Sequence, residues 1–466
     1  MLLPAHRSLL QKPLRGAGFL LTDPYLALYQ QAAVLYSLRR VTPQATKAIR
    51  VRRDSDSVEK DIGFVGKDLN QQAIEDFGGK NLLGYTSDLS HSLWGATTST
   101  VLVTHNKPDF QGGNNATQLD FSGTGVFSQT TNIKSDTYDQ TKIIASIYIK
   151  GTAGETIKIE TRSSGDYVKQ ASLTLNGSWQ RIDNALAGVG DIGTTPNNTI
   201  FNLRKDPPNT VTSCLIFQPQ VEISNTGQPT EYEPRLTGGA SDCFIVNWYD
   251  QVGANDSVQN NVALQPKIYD VASGEVVKKN GNPAILFDGT DDNLVITNST
   301  SLLSGLYNHN KFGELFNVFA ADTAQNTANA HVFSNLTGTN STGYANVYRF
   351  SGNPFIRTQI FRGVGGTNSM ITNDFTPNDG LQKLYNASVR NTFSEKTNNV
   401  NGLTNASYNN PRSPSNATFD FRIGANGANG ANFSGTVQEL IIFNKNLTIE
   451  ENTILHDDIN AHYGIY

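Results

Sequence analysis

Three aspartates in one acidic loop are the first candidates for a chemical site. Asp288, Asp291 and Asp292 lie within five residues of one another, in the run DGTDDN. Carboxylate and carbonyl oxygens at this spacing can bind Ca²⁺. A polar turn between strands predicted at 284–287 and 294–296 explains the same residues, and we favour the turn. The seven histidines show no HxxxH or HExxH spacing, so a zinc site is not predicted. No cofactor other than a calcium ion is therefore expected.

Three tryptophans are the candidates for a sugar-binding platform. A flat aromatic ring can stack on the C–H face of a sugar, while amides and carboxylates bind its hydroxyl groups. The chain also has 17 Tyr, 23 Phe and abundant Asn. Trp94, Trp179 and Trp248 each lie in a strand-like apolar context. Packing in a core is therefore the favoured role, and carbohydrate binding is the alternative.

A basic leader opens the chain, over residues 1–33. Residues 1–53 contain nine Lys or Arg and a single acid. One interpretation is an assembly anchor, in which Arg7, Lys12 and Arg15 bind an acidic partner. The other is that the later arginines pair with the acids at 54–61, and we favour this pairing because alternating apolar and basic residues predict a half-exposed strand at 49–52. The leader also lacks the pattern of a standard export signal, which predicts a protein made without one.

The composition limits the class of protein. Charged residues make up 17%, the net charge is -5, and the chain has 41 Gly. A polar but weakly charged composition with many turn residues predicts an all-β fold. Its charge gives no reason to expect nucleic-acid binding, and no apolar run is long enough to span a membrane. The two cysteines, Cys214 and Cys243, are predicted to be buried apolar residues rather than a disulfide.

Residues 81–236 are predicted to form an inserted module. Short strands separated by Gly and Asn turns, such as 143–149, 156–160, 171–175 and 214–222, favour a β-sandwich or jelly roll. The module opens with the run NLL followed by Trp94, and it closes with QPQVE and YEP. In these features it resembles the carbohydrate-binding-type jelly rolls found in phage virion proteins.

Residues 34–80 and 237–466 are predicted to form one domain that the module splits. The runs LYSLRR, AIRVRRDSD, DIGF and FIVNWYDQ resemble the fungal α-L-arabinofuranosidase B catalytic sandwich. The remainder is similar to concanavalin-like and laminin-G-like sandwiches. The resemblance implies a second β-sandwich. A capping box of Thr448 and Glu451 predicts a short C-terminal helix that ends near Gly464.

The same resemblance places a catalytic pair, and both acids are missing. A retaining glycosidase needs two carboxylates, one as nucleophile and one as acid/base. The nucleophile position falls within 332–338, but residues 323–373 contain no Asp or Glu. The acid/base position corresponds to Asn426, whose amide cannot donate a proton as a carboxylic acid does. We therefore expect the fold to persist without glycosidase activity.

Three functions were compatible with these observations. The favoured one is a non-enzymatic phage virion protein, in a tail fibre, appendage or head decoration, exposed on the virion exterior. It would present glycan-binding sandwiches for host attachment, contact other virion proteins through its leader, and form a homo-oligomer. The alternatives are a secreted arabinofuranosidase-like glycoside hydrolase and a bacterial surface adhesin.

Overall fold

The computed structural model describes residues 24–96, 98–134, 142–163, 166–188, 198–224, 226–235, 238–308, 311–323, 330–337, 341–349, 355–362, 369–374, 380–390, 395–401, 403–407 and 417–466. These residues form mostly β-strands, which confirms the all-β prediction. The anchor candidates Arg7, Lys12 and Arg15 lie outside the described residues. None of the helices in the described ranges has the length and apolar character needed to cross a membrane.

The elements that precede the module are short. In chain order they are α1 Pro24–Tyr29, β1 Val34–Ser37, β2 Ile49–Arg53, β3 Glu59–Ile62, β4 Phe64–Val65, β5 Asp68–Leu69 and α2 Gln71–Gly78.

Ten strands follow within the predicted module: β6 Gly95–Ala96, β7 Val101–Lys107, β8 Ala116–Phe121, β9 Gly125–Lys134, β10 Ile143–Gly151, β11 Thr156–Ser163, β12 Asp166–Thr174, β13 Gln180–Asp183, β14 Asn198–Lys205 and β15 Ser213–Ile223. They form two five-stranded antiparallel sheets, in the orders β13-β10-β15-β8-β7 and β12-β11-β14-β9-β6. Alternate residues of β10, Ile143 to Ile149, are buried in the core between the sheets.

The remaining elements return to the split domain: β16 Cys243–Trp248, β17 Ser257–Val258, β18 Lys267–Asp270, β19 Glu275–Val276, β20 Lys278–Lys279, β21 Asn282–Pro283, β22 Ile285–Asp288, β23 Leu294–Ile296, α3 Ser299–Leu302, β24 Gly313–Ala321, β25 Ala330–Ser334, β26 Thr342–Arg349, β27 Phe355–Arg362, β28 Ser369–Asp374, β29 Lys383–Arg390, β30 Glu395–Val400, β31 Leu403–Ser407, β32 Phe421–Ile423, β33 Ser434–Phe443 and α4 Ile449–Tyr463.

Strands from both sides of the module pair directly with one another. β16 lies antiparallel to β2, with Trp248 opposite Ile49 and Cys243 opposite Arg53. Likewise, β1 pairs with β33, which also pairs with β22 and β24. The segments before and after the module therefore share one sheet system, and their apolar faces form a common core. Both cysteines are buried and free, as predicted.

The C-terminal helix α4 has the predicted ends. Thr448 and Glu451 form the reciprocal capping box, and Gly464 ends the helix in the left-handed conformation. Ile459 is buried against the outer face of β24 and β33, together with α1. Ile449, at the first position of the helix, is instead 81% exposed.

The arginines that follow the leader pair with acids of the same domain. Arg50 binds Asp61, Arg52 binds Asp54 and Arg53 binds Asp56. The buried Arg39 guanidinium binds Glu439 at 2.8 Å and Asp458 at 2.7 Å, which ties β1 to β33 and α4. For Arg50, Arg52 and Arg53 the predicted pairing with the acids at 54–61 is confirmed, whereas Arg39 pairs with acids distant in sequence.

The module is bonded to the split domain where the chain passes between them. The buried Asn81 accepts hydrogen bonds from the backbone N–H groups of Leu83 and Val221, and its amide donates to the Pro219 and Glu233 carbonyls. Two bonds cross between the regions: Ala240 donates its backbone N–H to the Asn81 carbonyl, and Arg235 donates its Nη2 to the Gly78 carbonyl. These bonds fix the two connecting segments next to each other.

Candidate functional site

An aromatic cluster lies on the outer face of the module sheet β13-β10-β15-β8-β7. It comprises Phe110, Tyr148, Trp179 and Phe217. The Phe110 ring centroid lies 4.9 Å from that of Tyr148, 5.8 Å from that of Trp179 and 5.7 Å from that of Phe217. Phe217 is buried beneath the other rings, Tyr148 and Trp179 are half-buried, and Phe110 is 42% exposed. The four rings form one continuous apolar surface that reaches solvent.

Strand alternation and a β-bulge place two of these rings. The core of the module takes Ile147 and Ile149, so Tyr148 between them points to the opposite face. On β15, the two residues Gln218 and Pro219 oppose the single residue Ile147. Such a bulge redirects the strand, and it accommodates a proline that a regular central strand would exclude. It brings Phe217 opposite Tyr148 on the outer face.

A hydrogen-bonded loop between β7 and β8 carries Phe110. The Asp109 carboxylate accepts backbone hydrogen bonds from Gln111, Gly113 and Asn115. Burial favours the neutral acid, but these bonds outweigh it and hold the pKa of Asp109 below its ordinary value. The bulge residue Gln218 also donates to the side-chain oxygen of Gln111. The loop is therefore fixed from both ends, and Phe110 is held over the sheet.

Trp179 follows a tight turn between β12 and β13. Gly177 has a positive φ of 83°, and Ser178 donates its backbone N–H to the Asn176 side chain. The side chain of Gln180 accepts a hydrogen bond from the backbone of Asn176 and donates one to Thr174. These bonds close the turn and place the indole beside Phe110 and Phe217.

One guanidinium group borders the rings. Arg181 lies directly opposite Tyr148 across the β10–β13 pair, and its central carbon lies 5.8 Å from the tyrosine ring centroid. Its Nη2 donates to the buried Ser146 Oγ at 2.8 Å. The hydrogen bond and the cation–π contact hold the guanidinium beside the aromatic surface.

The rest of the same face is polar and internally bonded. The Asp120 carboxylate accepts hydrogen bonds from Ser213 and Gln118, which lower its pKa. The Glu222 carboxylate accepts from the backbone and hydroxyl of Thr230. The face therefore combines an apolar end with a hydrogen-bonding end, an arrangement suited to a ligand with apolar and hydroxyl faces.

Of the three tryptophans singled out as sugar platforms, only Trp179 reaches this surface. Trp94 is buried, stacks on Phe127 at 5.5 Å and donates its indole N–H to the Tyr85 carbonyl. Trp248 is fully buried beside Tyr36 in the split domain. A sugar cannot stack on a ring that is covered on both faces, so Trp94 and Trp248 are core residues.

The acidic loop forms a compact cluster. The carboxylate oxygens of Asp288, Asp291 and Asp292 lie within 4.8 Å of one another. However, the backbone N–H of Thr290 donates to Asp288, and that of Asp288 donates to Asp292. Burial, together with the neighbouring charges, raises the pKa of Asp292 to about 7. The loop has the bonding of a polar turn, and the oxygens left over are chemically suited to Ca²⁺.

The two positions implied by the glycosidase resemblance are adjacent in the structure. Gly427 donates its backbone N–H to the Leu336 carbonyl, which joins the 332–338 stretch to the glycine-rich stretch. The Asn426 side chain accepts from the backbone of Ala428 and Gly430, so it closes a turn. Asn335 likewise accepts from the backbone of Tyr344. Amides with structural hydrogen bonds occupy the region where the catalytic carboxylates were implied.

Sequence reasoning missed Phe110, Tyr148, Arg181 and Phe217. Tyr148 carried a usable signal, since it takes an outward position in an otherwise apolar strand. The run FQPQ carried another, because a proline inside a strand pattern predicts a bulge. The approach of the Phe110 loop to the sheet depends on contacts distant in sequence and had no local signal.

Neither a family model nor a curated protein matches the sequence. Solved structures with partial likeness include the CBM40 module of the Ruminococcus gnavus IT-sialidase bound to alpha2,3 sialyllactose. The identity is 11%, the match covers 37% of this chain and 95% of that chain, and the TM-score is 0.30. The NanB sialidase from Streptococcus pneumoniae has 18% identity, and the match covers 36% of this chain and 27% of that chain with a TM-score of 0.30. The botulinum neurotoxin serotype D binding domain has 11% identity, and the match covers 43% of this chain and 51% of that chain with a TM-score of 0.31. At these TM-scores the likenesses identify neither a ligand nor an activity for this chain.

Proposed function

We propose that the protein is a non-enzymatic glycan-binding protein whose inserted module binds sugar on its aromatic face. The observation that carries this proposal is the continuous surface of Phe110, Tyr148, Trp179 and Phe217 on the outer side of a sheet. Apolar rings left at the surface forgo the stabilisation of burial, and a rigid exposed patch of them is typical of a binding site. The adjoining polar side chains would bind sugar hydroxyl groups.

A glycan array tests this proposal with the full chain. We expect Trp179→Ala and Phe110→Ala to lose binding, because each removes a ring of the platform that reaches solvent. The matched control is Leu102→Ala on β7, at the opposite edge of the same sheet and 65% exposed. Retention of binding by both ring variants, or equal loss in the control, would contradict the proposed site.

The absence of catalysis is part of the proposal. The amides of Asn335 and Asn426 are supporting observations, since neither group can act as nucleophile or proton donor at neutral pH. We expect purified protein to release no p-nitrophenol from p-nitrophenyl α-L-arabinofuranoside. Turnover that a single carboxylate substitution abolishes would instead support the arabinofuranosidase-like alternative.

We further propose that the protein functions on the exterior of a phage virion, as an appendage, tail-fibre or decoration subunit and as a homo-oligomer. The sequence resemblance of the module to virion jelly rolls supports this role, as does the weakly charged, turn-rich composition. Mass spectrometry of purified particles is the test, and light scattering of the purified chain gives its oligomeric state. Detection in a bacterial envelope fraction and in no particle would favour a surface adhesin.

A further inference from the structure

Arg181 is held at the edge of the aromatic surface, and no carboxylate of the described residues pairs with it. Its Nη2 bonds to Ser146 Oγ, and this is the only hydrogen bond that the described residues provide to its guanidinium. The described residues place no Asp or Glu oxygen within 4.0 Å of it. Because a guanidinium carries five N–H donors, the group retains most of its donor capacity beside the rings.

A second cation lies on the same side of the sheet. Lys150 follows Tyr148 by two residues on β10, so both side chains point outward, and Lys150 is exposed. In the described part of the chain it too has no carboxylate within ion-pair distance. Two positive charges without an ion-pair partner among the described residues therefore border the aromatic end of the face, one beside Tyr148 on the neighbouring strand and one along its own strand.

The carboxylates of this face instead accept hydrogen bonds from neighbouring donor groups. Asp120 is bonded to Ser213 and Gln118, Glu222 to Thr230, and Asp183 to the backbone of Ala185. Each carboxylate thus has hydrogen bonds that stabilise its charge, while Arg181 and Lys150 do not neutralise them. Among the described residues, the N–H donors of Arg181 and Lys150 that no carboxylate binds therefore lie next to the aromatic rings.

From this geometry we infer that the module prefers glycans that carry a carboxylate, that is, uronic or sialic acid residues. The C–H face of such a sugar would stack on Trp179 and Phe110, and its carboxylate would accept hydrogen bonds from Arg181. A planar guanidinium can bind a carboxylate through two parallel N–H groups, and Ser146 already holds it in place. Lys150 would add long-range attraction. This inference rests on the glycan binding proposed above and names its ligand class.

The test compares acidic oligosaccharides with their carboxyl methyl esters. Trigalacturonic acid and sialyllactose are titrated into the full chain by calorimetry, each beside its methyl ester, which keeps size and hydroxyl groups but removes the charge. We expect the acids to bind at least about ten-fold more tightly, the expected effect of a charge-assisted hydrogen bond. We expect Arg181→Gln to abolish this preference and Arg181→Lys to restore it only in part. Lys205→Gln, on β14 in the other sheet of the module, is the matched control and should leave the preference unchanged.

The outcomes separate this inference from the proposed function. Equal binding of acid and ester would overturn the acidic preference while leaving glycan binding intact. An acid preference that survives in Arg181→Gln would overturn the assignment of that preference to Arg181. No binding of any acid or neutral glycan on the array would overturn both. Binding of acids that Lys205→Gln weakens as much as Arg181→Gln would show non-specific charge attraction and would also overturn the inference.

Discussion

The inserted module and the split domain are both β-sandwiches, yet they use their aromatic residues differently. In the split domain the largest rings are buried inside the sheets, including Tyr36, Trp248, Tyr269, Tyr344 and Tyr385. In the module, Trp94, Phe127 and Phe201 fill the core while Phe110, Tyr148 and Trp179 reach the surface. A high aromatic content therefore has two physical roles in one chain. Strand register decides the role of Tyr148, whereas loop and turn geometry decides those of Phe110 and Trp179.

Two arginines, one in each region, differ in what their charge binds. In the split domain, the Arg39 guanidinium is buried against Glu439 and Asp458. It therefore links the segment after β1 to β33 and α4. In the module, Arg181 lies at a surface, and Ser146 is its only acceptor among the residues that the structure describes. A buried pair is costly to break, whereas a half-buried guanidinium contributes little to folding and keeps its donors for a ligand.

Breaking the buried ion pair of Arg39 should have the largest effect on stability. Arg39→Ala leaves the Glu439 carboxylate buried without its partner and should reduce the free energy of unfolding by about 3–5 kcal/mol. Incorporation of 5-fluorotryptophan gives three ¹⁹F signals, because the chain has three Trp. In urea we expect the Trp248 signal to shift to a lower midpoint and those of Trp94 and Trp179 to shift less. The exposed pair variant Arg50→Ala should cost under about 1 kcal/mol. Similar midpoints for the two variants would contradict a structural role for Arg39.

The two tryptophans of the module should differ almost as much in how strongly they stabilise the fold. Trp94→Ala removes a buried ring and should cost about 3–5 kcal/mol, whereas Trp179→Ala should cost about 1 kcal/mol or less. Binding should show the reverse pattern at concentrations where both variants are folded, since only Trp179 belongs to the platform. Urea unfolding and glycan titration of the two variants measure both effects. A large stability loss in Trp179→Ala would indicate that the surface cluster is merely part of the core.

The sequence predicted the architecture better than the site. The strands around Ile143, Ile157 and Leu215 and the helix capped by Thr448 follow from local patterns, since alternation and capping depend on near neighbours. The family resemblance predicted only that the segments before and after the module belong together, and the pairing of β2 with β16 is known from the structure. The domain limits themselves stay a prediction.

The candidate site depends on features that local patterns do not encode. Phe110 meets Tyr148 and Phe217 because a loop folds back over a sheet, and Arg181 joins them through an edge strand. Sequence reasoning proposed all three tryptophans on equal terms, and only the tertiary structure distinguished Trp179 from the other two. Composition indicated that aromatic residues were available, and the bulge in β15 determined where they meet.

Acidification should have an intermediate effect on the stability of the split domain. Burial lowers the pKa of His456 on α4 to about 4, and Asp457 opposes this only in part. The unfolded chain takes up this proton near pH 6.5, so acidification through that range favours unfolding. Between pH 7 and pH 5 the group should cost about 2 kcal/mol of stability. The loss of unfolding free energy from pH 7 to pH 5, measured by urea denaturation, should be smaller by that amount in His456→Gln. An unchanged loss would contradict the burial argument.

The smallest effect is expected at the acidic loop. Since backbone N–H groups already bind Asp288 and Asp292, the loop should be stable as a turn. We expect calcium chloride and EDTA to give the same thermal midpoint, measured by calorimetry. A calcium-dependent increase that disappears in Asp291→Asn would instead identify a calcium site.

The central claim is that sugar binds the module at Trp179 and nowhere near the other two tryptophans. The ¹⁹F spectrum of 5-fluorotryptophan-labelled protein tests it most directly, with Trp179→Phe used to assign its signal. Titration with the strongest ligand from the array should move the Trp179 resonance and leave those of Trp94 and Trp248 in place. Saturating binding that moves the Trp248 resonance, with that of Trp179 unchanged, would locate the site in the split domain and contradict the account.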